Sequence, residues 1–374
     1  MKRTILATLL IAVLLLGGCR SKPSPAPKPE DTPTVIEEMR GVWVSYLDLD
    51  GLLAGASVTD AAARLDTLLD TCKQSGMNTL FFHVRAYSDA YYASAIFPPA
   101  ESAAGLLAAG FDPLDYAVKA AHERGLTLHA WLNPYRIGKQ PTNAVTSGDS
   151  DTFQKDGTWY YNPASPDARR AVLDGVREIL ARYAVDGIHF DDYFYPAGMT
   201  AQAEDFESVP DGVAVGDWRR AQVDLLVSGV YGLTRAAKRL FGVSPSALIG
   251  SCRDTAYADV AAWMATAGYV DYVCPQIYFG FDNTAHPFGD TLAAWERLPR
   301  REGVALVIGL ALYKAGTDDA YAGDGRAEWC KHDDILARQV TAIRASGVAD
   351  GFVLFRYAHL TAAKQEMTNL KTIL

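Results

Sequence analysis

From Met39 onward the chain alternates short apolar runs with segments of helical periodicity, and few folds accept such a pattern. Runs suited to buried strands are Gly41–Leu47, Thr79–Val84, Leu126–Leu132, Gly187–Phe190, Phe241–Ser244, Tyr272–Tyr278, Ala305–Leu310 and Phe352–Phe355. Helical spacing follows at Asp60–Gln74, Pro113–Arg124, Pro166–Tyr183, Asp217–Arg239 and Asp333–Ser346. The punctuation agrees, with starts at Thr59 or Asp60 and at Asp112-Pro113, and stops at Gly76, Gly125 and Gly347. About eight such units predict an α/β fold, a (β/α)8 TIM barrel over residues 39–374, one domain with extended βα loops. The rival is a doubly wound open sheet, but no Gly-rich phosphate turn follows the first strand. The loops after strands 2, 3, 4 and 6 are long, and a barrel enzyme builds its substrate site there.

The N-terminus reads as a targeting segment. Lys2 and Arg3 precede an apolar run, Ile5 to Leu16, too short to span a bilayer as a mature helix. The run ends in Leu16-Gly17-Gly18-Cys19, which resembles the bacterial lipobox: an aliphatic residue, two small residues, then the cysteine that carries lipid. Residues 1–18 are therefore expected to be a lipoprotein signal peptide, with Cys19 the lipidation site, and the mature chain exported and lipid-anchored to the membrane or envelope. An ordinary secretory signal with an incidental cysteine is the alternative. Residues 19–38, with Pro23, Pro25, Pro27, Pro29 and Pro33, read as an extended tether.

A hydrophobic content of 49% supports a large core, and the net charge of -9 argues against nucleic acid as a partner. Cys72, Cys252, Cys274 and Cys330 show no zinc-ligand spacing and no C-x-x-C, and are expected to be reduced thiols. No metal and no cofactor is assigned, and the chain is expected to act as a monomer.

The residues just past each strand carry the chemistry. Asp186 to Pro196 joins a short strand to two adjacent acids, Asp191 and Asp192, and then to aromatic rings including Tyr193 and Tyr195. Carboxylates at a strand mouth suit acid/base work, and adjacent acids in a cleft raise one pKa. His189 and Asp191 share a face by parity, so Asp191 is expected to point into the mouth. Asp192 does so only if the chain bends after Phe190. A capping or calcium-binding pair is the bland reading of these two acids. Around them stand Arg85 and Asp89 from strand 2, His129, Trp131 and Asn133 from strand 3, and Gln276 and Tyr278 from strand 6. Arg85, Asn133 and Tyr278 read as hydrogen-bonding groups for sugar hydroxyls or an acetamide, or else as an internal polar network. His83 and His129 lie deeper, as core histidines or ligands. Trp131, Tyr193, Tyr195 and Phe279 are candidate platforms for the CH faces of a sugar, or plain wall.

These segments carry a family resemblance. Arg40-Gly41-Val42-Trp43, His83-Val84-Arg85, Asp89-Ala90-Tyr91, His129 to Arg136, Asp186 to Pro196, Asp217 to Arg220, Phe241 to Pro245 and Pro275 to Tyr278 resemble the bacterial glycosyl hydrolase-like 10 family. The resemblance implies a (β/α)8 glycosidase-type enzyme of the cell envelope acting on a polysaccharide, with peptidoglycan glycan strands lacking stem peptides as the substrate of studied members. On the reading of the strand ends, Asp191 is expected to be the catalytic nucleophile or base, with Asp192 the candidate second acid as proton donor, and substrate binding is expected of Arg85, Asp89, His129, Trp131, Asn133, His189, Tyr193, Gln276 and Tyr278. One departure stands out: Ser246-Ala247-Leu248-Ile249-Gly250 follows Pro245, where the family commonly has an aromatic and a cation.

Two readings compete with hydrolysis. One is a glycan-binding lipoprotein that keeps the cleft without the chemistry. The other is a metal-dependent polysaccharide deacetylase, suggested by Phe190-Asp191-Asp192, but its paired histidines find no His-x-x-x-His among seven histidines. A two-carboxylate glycosidase needs acids about 5–5.5 Å apart for retention or about 6.5–9.5 Å for inversion. The other acids near the mouth are Asp89, Asp254 and Asp282, and the second catalytic carboxylate stays unassigned.

Overall fold

The computed structural model describes residues 38–192 and 194–374. Cys19, the signal segment, the tether as far as residue 37, and Tyr193 lie outside the described residues.

The apolar runs become parallel strands: β1 (Met39–Val44), β2 (Thr79–Arg85), β3 (Thr127–Leu132), β7 (Gly187–Phe190), β8 (Leu240–Val243), β9 (Tyr272–Val273), β10 (Ala305–Leu306), β11 (Ile308–Leu310) and β12 (Gly351–Phe355). Three further strands, β4 (Arg136–Gly138), β5 (Thr152–Lys155) and β6 (Thr158–Tyr161), form an antiparallel sheet inside the loop after β3. The parallel strands run β10-β9-β8-β7-β3-β2-β1-β12-β11. β10 and β11 are halves of one strand parted at Val307, whose N–H still bonds Val273, so the ring closes through a single strand. The result is the expected (β/α)8 TIM barrel.

Side chains alternate between two cores. Even-numbered residues of β1 and β2, such as Val42, Leu80 and Phe82, pack outward against the helices. Odd-numbered ones, Met39, Trp43 and Phe81, fill the lumen with Trp131, Tyr272 and Val353 of other strands. Large lumen residues need small partners: a Cβ on Gly242 would lie 2.2 Å from the Tyr272 ring, and one on Gly41 would lie 2.8 Å from Phe81. Cys72, Cys252 and Cys274 are buried and unpaired, and Cys330 is exposed.

The two ends of the barrel use acids differently. At the N-terminal end, Asp186, Asp271 and Asp350 each precede a strand and accept the N–H of a neighbouring strand's residue: Leu128 (2.7 Å), Phe241 (2.9 Å) and Leu306 (2.8 Å). Asp186 thus closes the bottom of the barrel, and Asp191, five residues on, stands at the top.

Some boundaries differ from the sequence expectation. The first strand stops at Val44, because Ser45 caps a helix, Tyr46–Leu53, in a capping box with Asp48. The sixth strand is regular only over Tyr272–Val273, since Pro275 lacks an N–H, although Gln276 still bridges Ser246 and Gly309. Long βα loops are tied down individually. Arg219, fully buried, donates to Glu207 (2.6 and 2.7 Å), to the carbonyls of Thr200 and Gln202, and to the Tyr257 hydroxyl. Glu328 accepts the N–H groups of Phe281 and Asp282, and Lys314 bridges the Tyr278 carbonyl to Asp319.

Candidate active site

The strand C-termini surround a cleft of ≈ 290 Å³. Asp191, Asp192, Ser244, Gln276 and Tyr278 line it together with Tyr46, His83, Trp131, Asn133 and Arg136, and with Trp43 and Phe355. Asp191 and Asp192 are the only carboxylates lining it among the described residues.

The chain bends directly after β7. The Asp192 N–H donates to Oδ1 of Asp191 (2.9 Å), and the Phe194 N–H to the Asp192 carbonyl (3.0 Å), so strand alternation ends and both acids face the cleft. Their carboxyl groups lie within hydrogen-bonding reach of one another. The Gln276 amide holds Asp191 from behind: Nε2 donates to Asp191 Oδ1 (3.2 Å) and to the Ser244 carbonyl (2.9 Å), which fixes the amide's orientation. Burial, and then the neighbouring charge of Asp192, push the Asp191 pKa well above the usual carboxylate range. Burial also raises Asp192, while its bond to Asp191 opposes the rise. Two carboxylates this close do not ionise independently, so the pair's last proton leaves only at raised pH, and Asp191 is the member shifted further.

The floor beneath is a neutral hydrogen-bonded chain. The Trp43 indole N–H donates to Nε2 of His189 (3.3 Å), which places the His189 proton on Nδ1, facing the Tyr272 hydroxyl (3.0 Å). Tyr272 then donates to Nδ1 of His129 (2.8 Å). Burial holds His129 down at about 4 and His189 well below its ordinary range, so neither carries charge at neutral pH. His83 stacks on Trp131 at 3.7 Å, and its Nδ1 accepts the Tyr46 N–H (3.3 Å), leaving the proton on Nε2.

The structure thus gathers Asp191, Asp192, Trp131, Asn133, Gln276 and Tyr278 around one cleft. Four other expected site residues are placed elsewhere. His129 and His189 are enclosed in the lumen below the cleft, where Tyr272 satisfies both, so they support the floor and do not line the cleft. Arg85 should share the inward face of Phe81 and His83, but a bulge between His83 and Arg85 reverses its direction. Its guanidinium packs 3.8 Å over the Phe97 ring and against Gly175 of the helix Pro166–Arg182, outside the barrel. Asp89 belongs to that same outer cluster, where its charge faces Arg85. Nor is a distant acid recruited: Asp254 is exposed and pairs with Arg253 (3.2 Å), and Asp282 is absent from the cleft wall. Tyr195 is buried, with the Arg219 guanidinium 5.6 Å over its ring, and is no platform.

Sequence reasoning missed Trp43, Tyr46, Arg136, Ser244 and Phe355 as cleft residues. Trp43 and Ser244 were readable, since each is an inward residue at the end of its strand. Tyr46 was hidden by the unrecognised turn at Ser45. Among the described residues no three His, Cys, Asp or Glu side chains converge as metal ligands.

Comparison with known proteins gives a consistent picture. Residues 38–322 match the family model described as glycosyl hydrolase-like 10. The chain is 32% identical over 315 residues to the glycosyl hydrolase YngK of Bacillus subtilis, an alignment covering 74% of this chain and 61% of that protein's length. It is 27% identical to the glycosyl hydrolase DigH of Escherichia coli K12, covering 95% of this chain and 92% of the relative. Among solved structures, the glycoside hydrolase domain of PgaB (BpsB) from Bordetella bronchiseptica superposes with a TM-score of 0.60 at 14% identity, covering 89% of this chain and 99% of that domain. At that identity the likeness speaks for the fold alone.

Proposed function

The chain belongs to the glycosyl hydrolase-like 10 family, and from that premise we propose that it hydrolyses glycosidic bonds of a cell-wall polysaccharide, with peptide-free glycan strands of peptidoglycan as substrate. The observation that carries this reading is the proton-sharing pair Asp191–Asp192 in an aromatic-sided cleft at the C-terminal mouth of the barrel. A buried carboxyl that holds its proton to higher pH than an ordinary carboxylate supplies what a glycosidase needs first, a general acid for the leaving oxygen. Gln276 aims it. Tyr278, partly exposed in the cleft, offers a ring face to a pyranose, and Asn133 brings an Oδ1 with no protein partner.

Two relatives named glycosyl hydrolases support the reaction class. For the site of action, the argument comes from the sequence: a signal ending at Cys19 and a proline-rich tether would hold the barrel on a membrane surface facing the wall.

The test is turnover. The purified chain, incubated with peptide-free glycan strands, generates new reducing ends visible by mass spectrometry, and Asp191→Asn lowers the rate by about 10²–10⁴-fold. Binding without cleavage, identical in wild type and Asp191→Asn, would instead make this a glycan-binding module. Anchoring is tested separately, by incorporation of labelled palmitate that is lost in Cys19→Ser.

A further inference from the structure

We infer that the nucleophile in this site is not a protein group: the geometry points to a sugar whose own 2-acetamido oxygen attacks the anomeric carbon. The inference rests on the hydrolase reading above and names the substrate class within it, a glycan with a 2-acetamido sugar on the non-reducing side of the scissile bond.

The argument is one of elimination at the cleft. Hydrolysis by two protein carboxylates needs them on both sides of the scissile bond, about 5–5.5 Å apart for retention or about 6.5–9.5 Å apart for inversion. Asp191 and Asp192 are consecutive, hydrogen-bonded to each other, and carried on one wall by one strand end. They act from one side. No other carboxylate of the described residues lines the cleft. The nearest alternatives are committed: Asp48 is buried in the capping box of its helix and paired with Arg356, and Asp89 lies outside the barrel beside Arg85.

The neutral His83 of the cleft lining is the remaining candidate base for a water. His83 cannot serve. Its Nδ1 already accepts the Tyr46 N–H, so its proton sits on Nε2, and it offers a donor where a base must offer a lone pair. The rest of the lining therefore supplies polar groups and rings, which bind a sugar without attacking it. What it lacks, an N-acetyl substituent at C2 carries on the substrate itself. Tyr278, which lines the cleft close enough to feel the charge of both aspartates, stands where a phenol can hold that acetamide in place.

The steps balance. The acetamide oxygen bonds to C1 as the C1–O bond to the leaving sugar breaks, and the pair's proton passes to the leaving oxygen. The pair, now doubly negative, faces the oxazolinium cation and takes its N–H proton. Water then adds to C1 while the C1–O bond to the acetamide breaks. The water's proton goes to the pair and the pair's proton returns to nitrogen, leaving the enzyme as it began and the anomeric configuration retained. Holding the nucleophile inside the substrate supplies a large effective molarity, which explains how one-sided carboxylates suffice.

The experiment compares glycan strands that differ only at C2, using the full chain. With N-acetylated strands, NMR of the first-formed reducing ends shows retention, and the thiazoline analogue of N-acetylglucosamine inhibits competitively. Chemically N-deacetylated strands are cut at least about a thousandfold more slowly while still binding. Inverted product, or a glycosyl ester trapped on the protein and detected by intact mass, would overturn this inference and leave the hydrolase reading standing. No cleavage of any strand would overturn the hydrolase reading, and this inference with it.

Discussion

Replacing Asp191 by Asn should cost activity and raise stability together, with a pH dependence that identifies the cause. Asn keeps a carbonyl oxygen where Oδ1 now accepts the Asp192 N–H (2.9 Å) and the Gln276 amide (3.2 Å). Its NH2 takes the place of the shared proton and faces the Asp192 carboxylate. The variant thus mimics the protonated member of the pair without being able to release the proton. Below its raised pKa the native pair keeps a proton that the unfolded chain, with carboxylates near about 3.9, has already released. Both native pKa values are raised, so their contribution to stability is fully present below about pH 4 and is lost as pH rises toward the raised value. One excess native proton corresponds to a slope of about 1.4 kcal/mol per pH unit. Asp191→Asn removes that slope. Its melting temperature should match wild type near pH 4 and exceed it increasingly toward pH 7, by about 2 °C for each kcal/mol. Hydrolysis should fall by about 10²–10⁴-fold over the same range. Thermal unfolding at pH 4, 5, 6 and 7, alongside release of reducing ends, measures both. A melting difference that stays constant across pH would refute the shared-proton argument, and so would a variant with nearly full activity.

Three further outcomes follow from the packing. Burial raises Glu366 to about 7 while its carboxylate accepts the Leu336 N–H, so wild type loses stability as pH rises from about 4.5 through 7; Glu366→Gln keeps the acceptor and should melt with wild type at pH 4 but above it at pH 8. Gly242→Ala would put a methyl 2.2 Å from the Tyr272 ring and disturb its bonds to His129 and His189. A loss of about 1–3 kcal/mol or more in urea unfolding is expected. Arg219→Ala leaves Glu207 buried and unpaired at a cost of about 3–5 kcal/mol, and limited proteolysis should then cut between residues 196 and 215, where wild type resists.

Much of this protein was legible before any coordinates. Strand and helix periods differ, so alternating apolar runs and helical segments already specified eight βα units and hence a barrel. Parity within a strand needs only a regular pleat. It placed Trp131, Asp191 and Gln276 on the inward face, and the structure has them at the cleft. The family membership was readable from segments of the same strand ends.

What parity could not supply were the places where the pleat breaks. One extra residue between His83 and Arg85 turned an expected sugar ligand into a packing element outside the barrel, and nothing in the local sequence announces a bulge. Depth was equally hidden. His129 and His189 have the right face but lie below the mouth, because only the closed ring fixes which layer each residue occupies. The sequence determined that two acids stand side by side at the end of β7. Only the tertiary structure decided that a side chain–backbone bond bends the chain there, that Gln276 and Ser244 from neighbouring strands hold the result, and that no third acid crosses the cleft among the described residues. All but the first depend on strands far apart in the chain, and the pKa of a carboxyl depends on what surrounds it in space.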